Sequence, residues 1–158
     1  MQTGYPPIRR VVTGHDSSHV AKVLRDEPAT NTKSSQPGQV STLIWCTDGA
    51  PAAIPVGEQP EDMGARKIGT APPARGTRFA VIDFPPGNQA HMHRTETIDY
   101  VIVIEGEIEM DMDASSVKLK ATSWSSVAPT TPGQTEATSG PAWRSSWSMR
   151  SRWVSALR

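Results

Sequence analysis

The 158-residue sequence has only one cysteine, Cys46, so no disulfide can form within the chain. Secreted domains commonly depend on disulfides, and a single cysteine is more typical of a reducing compartment. Cys46 follows the apolar residues 43–45, which predicts a buried structural thiol rather than a nucleophile. The first residues also lack the apolar core of a signal peptide. We therefore expect a cytoplasmic protein.

The sequence has no excess of charge of either sign. Its 16 Lys and Arg residues balance 16 Asp and Glu residues, so the formal net charge is zero. Without a basic excess, we expect no nucleic-acid partner. No apolar run approaches the roughly 20 residues that a membrane-spanning helix needs, so we expect no membrane partner either.

Glycine and proline are frequent, with 12 and 14 residues, and they divide the chain into short segments typical of strands and turns. The clearest strand signal is in residues 107–113, where Ile108, Met110 and Met112 alternate with acidic residues. We expect 26–39 and 50–73 to be mostly loop, with one helical turn near 61–63. The pattern predicts an all-β fold. The predicted strands are 8–13, 19–24, 40–47, 76–84, 98–105, 107–113 and 117–120.

Histidines and carboxylates concentrate between residues 91 and 99. His91 and His93 are two residues apart, so in an extended segment both side chains lie on one face. Together with a carboxylate from Glu96 or Asp99, they would suit a divalent Fe, Mn, Zn or Ni ion. The alternative is that the histidines lie at the rim of a sheet and Asp99 only forms a hydrogen bond in a turn.

Two residues near this stretch are candidates for a substrate pocket. Arg78 and Tyr100 could bind an acidic or aromatic small molecule, although a surface arginine and a packed tyrosine are open alternatives. No residue is identified as catalytic, and we expect no nucleotide cofactor.

The central stretch resembles the first motif of the cupin superfamily. That motif has a Gly, a His-x-His, an acid, six further residues and a second Gly. Here Gly87, His91, His93, Asp99 and Gly106 match it, with Asp where the motif has Glu. The resemblance covers residues 8–120 and extends to a group of small single-domain cupins of bacteria and fungi.

The resemblance implies a single antiparallel jelly-roll barrel in residues 1–120, with the first motif in 87–106. It implies His91, His93 and Asp99 as ligands of one divalent metal, with Glu96 as the alternative acid. The function it implies is a metal-dependent oxidoreductase acting on a small molecule, in aromatic or polyketide secondary metabolism. A cupin decarboxylase or isomerase, or a non-catalytic binding protein, is the alternative. A homodimer is a further expectation, because cupins commonly dimerise.

The composition changes abruptly after Lys120. Residues 121–158 contain nine Ser, four Trp and four Arg, with Glu136 as their only acid and no Lys. Read with GC-rich codons from the third base of the codon for Ala121, this segment becomes Asp-Val-Val-Val-Val-Arg-Gly-Thr-Asn-His-Ala-Trp. That reading is a strand, a turn and a histidine, and it would supply the second cupin motif. We therefore expect 121–158 to be frameshifted and poorly ordered, the barrel to be incomplete or irregular after residue 120, and the product to be inactive in the extreme case. A genuine Trp-rich tail is the alternative.

Overall fold

The computed structural model describes residues 6–88, 93 and 95–121, together with the backbone of 124–127, 142–144 and 151–157. These residues form β-strands joined by loops, with a single 3-10 turn at Met63–Ala65. The all-β prediction is therefore confirmed. The strands are β1 Arg9–His15, β2 Ala21–Pro28, β3 Thr32–Lys33, β4 Val40–Thr47, β5 Thr77–Phe84, β6 Asp99–Glu105, β7 Glu107–Met112, β8 Ser115–Lys120, β9 Trp124–Val127, β10 Ala142–Arg144 and β11 Ser151–Leu157.

The strands form three antiparallel sheets. The largest has the order β3-β4-β5-β11-β6-β9, a second has the order β10-β7-β8, and β1 and β2 pair with each other. Within the described part of the chain, these sheets do not close into a barrel. The antiparallel sheets of the predicted jelly roll are thus present, but in the described residues they form an open arrangement rather than a closed barrel.

The hydrophobic core lies between the six-stranded sheet and the sheet that contains β7 and β8. It is a cluster of buried side chains, against which Ile82 also packs. Burying large apolar side chains in this way contributes about 1.5–3 kcal/mol each. The cluster therefore holds the two sheets together. Its members are Phe84, Val101, Val103, Ile108, Met110 and Leu119.

The turn between β6 and β7 explains why the second glycine position of the motif, residue 106, is occupied by glycine in this chain. Gly106 joins the two strands with φ of 78°, a left-handed conformation that strains residues with a Cβ atom. Beyond this turn, Ile108 and Met110 are each only 1% exposed, as the alternation predicts. The acidic face of β7 is partly neutralised, because Lys120 forms an ion pair with Glu107 at 3.3 Å.

Several predicted boundaries were wrong. The second strand begins at Ala21 and continues to Pro28, so the start of the predicted 26–39 loop is strand, and β3 interrupts that loop again. In β6, which covers most of the predicted strand 98–105, only one face is buried. Ile102 and Ile104 are about half exposed on the opposite face.

Three backbone segments after Ala121 belong to the sheets. β9 pairs with β6, β10 pairs with β7, and β11 lies between β5 and β6. The remaining residues of 122–158 lie outside the described residues, and the predicted domain boundary at residue 120 stays a prediction. Over the described residues, no helix is long and apolar enough to cross a membrane.

Candidate metal and ligand site

The inner face of the six-stranded sheet carries the residues from which a site could be built. Directly paired residues on neighbouring strands share a face. Lys33 of β3 pairs with Ser41 of β4, and both Arg78 of β5 and Asp99 of β6 pair with Leu157 of β11. Arg78 and Asp99 are thus two strand spacings apart, about 10 Å between backbones, at the same level of the sheet.

Arg78 is buried, with 3% of its surface exposed. Its Nη2 donates a 2.7 Å hydrogen bond to Ser41 Oγ, whereas its buried Nε has no acceptor. Burial lowers the pKa of Arg78, and the negative charge of Asp99 partly offsets this effect. The two charges therefore influence each other, although the structure has no ion pair between these two described residues.

Asp99 is a half-buried carboxylate at the start of β6. Thr97 Oγ1 donates a 2.8 Å hydrogen bond to its Oδ1. Burial raises the pKa of Asp99, while the Thr97 hydrogen bond and the charges of His93 and Arg78 lower it by less. A half-buried carboxylate is a favourable ligand for a cation.

Two of the predicted ligands, His93 and Asp99, are among the described residues and influence each other electrostatically. His93 is exposed, and its charge acts on Asp99. Glu96 lies in the bend before β6 with its side chain exposed. His91 lies outside the described residues. Among the residues that are described, no three His, Cys, Asp or Glu side chains form a group that could hold a metal ion. His93 and Asp99 supply nitrogen and oxygen donors of the kind that a divalent cation takes.

The two predicted pocket residues lie on opposite faces of the sheet. Tyr100 follows Asp99 in β6, so its side chain points to the outer face, where it is 49% exposed. Arg78 lies on the inner face and lines a small open cavity. We predicted that both residues line one pocket, but the alternation of side chains along β5 and β6 puts them on opposite faces of the sheet.

The cavity beside Arg78 contains residues that sequence reasoning missed. It is lined by Asn31, Lys33, Ser41, Leu43, Arg66, Ile68 and Arg78. Lys33 and Ser41 are far from the motif and belong to segments that read as a polar loop and an ordinary strand. No local pattern marks them, because only the pairing of β3, β4 and β5 brings them next to Arg78.

Solved structures define the fold. A cupin domain from Schizosaccharomyces pombe aligns with a TM-score of 0.53 at 10% identity, covering 97% of this chain and 84% of that chain. The structure of KdgF from Halomonas sp. aligns with a TM-score of 0.51 at 11% identity, covering 81% of this chain and 84% of that chain. The protein has a cupin fold, as the resemblance implied.

The sequence relatives are cupins and biosynthesis proteins of fungi, and no protein-family model matches the chain. A cupin-domain-containing oxidoreductase of Aspergillus ruber is 26% identical over 117 residues, which are 73% of this chain and 57% of that protein. Phomopsin biosynthesis cluster protein C' of Diaporthe leptostromiformis is 39% identical over 44 residues, 28% of this chain and 23% of that protein. The chain thus spans about a quarter to just over half of the length of these relatives.

Proposed function

We propose that the protein is a metal-dependent cupin oxidoreductase that acts on a small molecule in aromatic or polyketide secondary metabolism. The observation that carries the proposal is the half-buried carboxylate of Asp99 on the inner face of a cupin fold, where the charge of His93 also acts on it. The similarity to a fungal cupin-domain-containing oxidoreductase and to a biosynthesis-cluster protein supports the reaction class and the setting.

The proposed ligands are His91, His93 and Asp99, with Glu96 as the alternative acid. A divalent Fe, Mn, Zn or Ni ion would supply a Lewis acid and an open position for substrate. Thr97 holds one oxygen of Asp99 through its hydroxyl and so restricts the rotation of the carboxylate. Arg78 adds a fixed positive charge on the same face, where it can orient a polar substrate.

Metal analysis tests the proposal. The purified chain is reconstituted separately with each of the four metals, desalted and measured by mass spectrometry. We expect one ion per chain, and loss of at least half of it in His93→Ala and in Asp99→Asn. His19→Asn is the matched control, because His19 is an exposed histidine with φ of 62° and asparagine tolerates that conformation. Absence of bound metal after all four reconstitutions would refute the proposal of a metal-dependent oxidoreductase.

A non-catalytic cupin that binds a small molecule is the second candidate. The cavity beside Arg78 favours it, because this cavity needs no metal to exist. Ligand binding by chelator-treated protein, with affinity unchanged on adding metal, would support this candidate over the oxidoreductase. A cupin decarboxylase or isomerase would instead show metal-dependent turnover without a redox partner.

The remaining proposals concern partners and location. We propose a cytoplasmic homodimer that binds neither nucleic acid nor membrane. The balanced charge and the single buried cysteine support this proposal. Half-exposed apolar side chains of β6, namely Tyr100, Ile102 and Ile104, are the surface that a second copy would cover. Sedimentation of the wild type against Ile102→Lys tests the dimer.

A further inference from the structure

Two of the arginines whose burial the structure describes are buried, but they have different partners. Arg10 is 6% exposed and donates to both carboxylate oxygens of Asp62, at 2.8 and 2.7 Å, and to Glu27 at 2.7 Å. Arg78 is 3% exposed, and among the described residues its one hydrogen bond goes to the neutral hydroxyl of Ser41. A guanidinium has five N–H donors and is always charged. A buried cation without an anion is costly, so Arg78 has the surroundings of a binding group.

A second cation borders the same cavity. Lys33 is an exposed residue of β3. Its Nζ donates to the carbonyl oxygens of Ile68 and Gly69, at 3.2 and 2.6 Å, so its third donor has no acceptor among the described residues. Burial lowers the pKa of Lys33, and the positive charge of Arg78 lowers it further. Two like charges that act on each other across a cavity destabilise the empty site. They would favour any anion that enters it.

The other charged groups nearby do not neutralise this pair. Arg66 also lines the cavity, but its guanidinium is occupied by Asp48 and Glu61, at 2.6 Å each. Asp99 acts on Arg78 only at a distance, and its Oδ1 accepts from Thr97. The unmatched positive charge in the cavity therefore belongs to Arg78 and Lys33.

We propose that the cavity between β3, β4 and β5 binds the carboxylate of a small-molecule ligand, with Arg78 as the main cation, Lys33 as the second and Ser41 as the positioning hydroxyl. A planar carboxylate matches the fork of a guanidinium. The negative charge of Asp99 on the same face disfavours a dianion such as phosphate. That this ligand is the substrate rests on the proposed function, whereas the anion site itself does not.

The test uses the full chain with three probes at constant ionic strength: benzoate, its neutral analogue benzamide, and inorganic phosphate. We expect benzoate to raise the melting temperature with saturation, and benzamide to have no effect. Calorimetry should show benzoate affinity falling at least about tenfold in Arg78→Met, because charge-assisted hydrogen bonds are lost. The loss in Lys33→Met should be smaller. Arg9→Met is the matched control, since Arg9 is an exposed β-strand arginine.

The ligand-free variants give a readout that a structural role for Arg78 would not produce. Removing a buried charge that has no anion should leave the melting temperature unchanged or raise it in Arg78→Met. The same change at Arg10 should lower it, because Arg10 is paired. A lowered melting temperature in Arg78→Met would overturn the proposal, and so would benzoate binding that is equal in wild type and Arg78→Met.

The remaining outcomes distinguish the proposed anion site from the proposed metal-dependent oxidoreductase. Phosphate binding at least as strong as benzoate binding, and lost in Arg78→Met, overturns the carboxylate assignment. Metal content is measured in the same samples. Benzoate binding in protein that takes up no metal supports the anion site and refutes the oxidoreductase. Bound metal without a benzoate response refutes the anion site alone.

Discussion

Asp62 holds Arg10 with both carboxylate oxygens and also accepts a 2.9 Å hydrogen bond from the backbone N–H of Gly64. Arg10 belongs to β1, and Asp62 caps the 3-10 turn that contacts β4. One ion pair therefore connects the β1-β2 pair to the 3-10 turn that contacts β4 of the six-stranded sheet. Gly64 has no room for a Cβ atom, which would meet Arg10 Nη1 and the carbonyl oxygen of Ile44.

We predict that Asp62→Ala lowers the free energy of unfolding by about 3 kcal/mol, because it leaves a buried guanidinium with one carboxylate fewer. Asp26→Ala is the control. It removes an exposed arginine–carboxylate pair between β1 and β2, Arg9–Asp26, whose side chains are 73% and 47% exposed. That change should cost less than about 1 kcal/mol. Urea denaturation measures both variants, and equal losses would contradict the assignment.

The same pair should make stability depend on pH. Burial raises the pKa of Asp62, but the hydrogen bonds from Arg10 and Gly64 and the charges of Arg10 and Arg25 together lower it by more, so its net pKa is below the ordinary value. The stabilisation is complete above the unfolded pKa of about 4. It is lost as the pH falls through the lower pKa of the folded state. Denaturation between pH 7 and 2.5 should show Asp62→Asn losing less stability at the acidic end than wild type. If the stability of both proteins fell equally with pH, Asp62 would be excluded as the source of the pH dependence.

Thr97 should affect the proposed metal site rather than the fold. Thr97→Val removes the hydroxyl that holds Asp99 Oδ1, and loss of such a supporting hydrogen bond typically weakens metal affinity about 10- to 100-fold. We expect competition with a chromogenic chelator to show this loss. The melting temperature of the metal-free chain should change little. Thr95→Val, two residues away, is the control and should retain wild-type affinity.

The reading frame after Lys120 is a prediction about the gene. We expect the coding DNA near codon 121 to contain a site where a one-base change restores a strand-rich continuation with a histidine. The restored chain should bind more metal and melt at a higher temperature, because it adds a ligand and buries more apolar surface. A frame that offers no such continuation would refute the prediction. The hypothesis that the chain is an inactive frameshifted product would then be refuted as well.

Local patterns predicted much of the fold. The strand predicted at 40–47 is β4 with the same bounds, and Cys46 within it is fully buried as expected. The alternation of β7 identified Ile108 and Met110 as core residues. These predictions succeeded because period-two burial and tight glycine turns depend on neighbouring residues alone.

The sequence by itself determined an all-β cupin fold and named His93, Asp99 and Arg78 as candidates for a site. Only the tertiary structure decided which side chains share a face. The register around β11 puts Arg78 level with Asp99, whereas strand alternation turns Tyr100 outward. The structure alone also distinguishes Arg10 from Arg78, because the partner of Arg10 lies 52 residues away in sequence and that of Arg78 is a neutral hydroxyl. Burial and pairing across strands are long-range properties that no local pattern records.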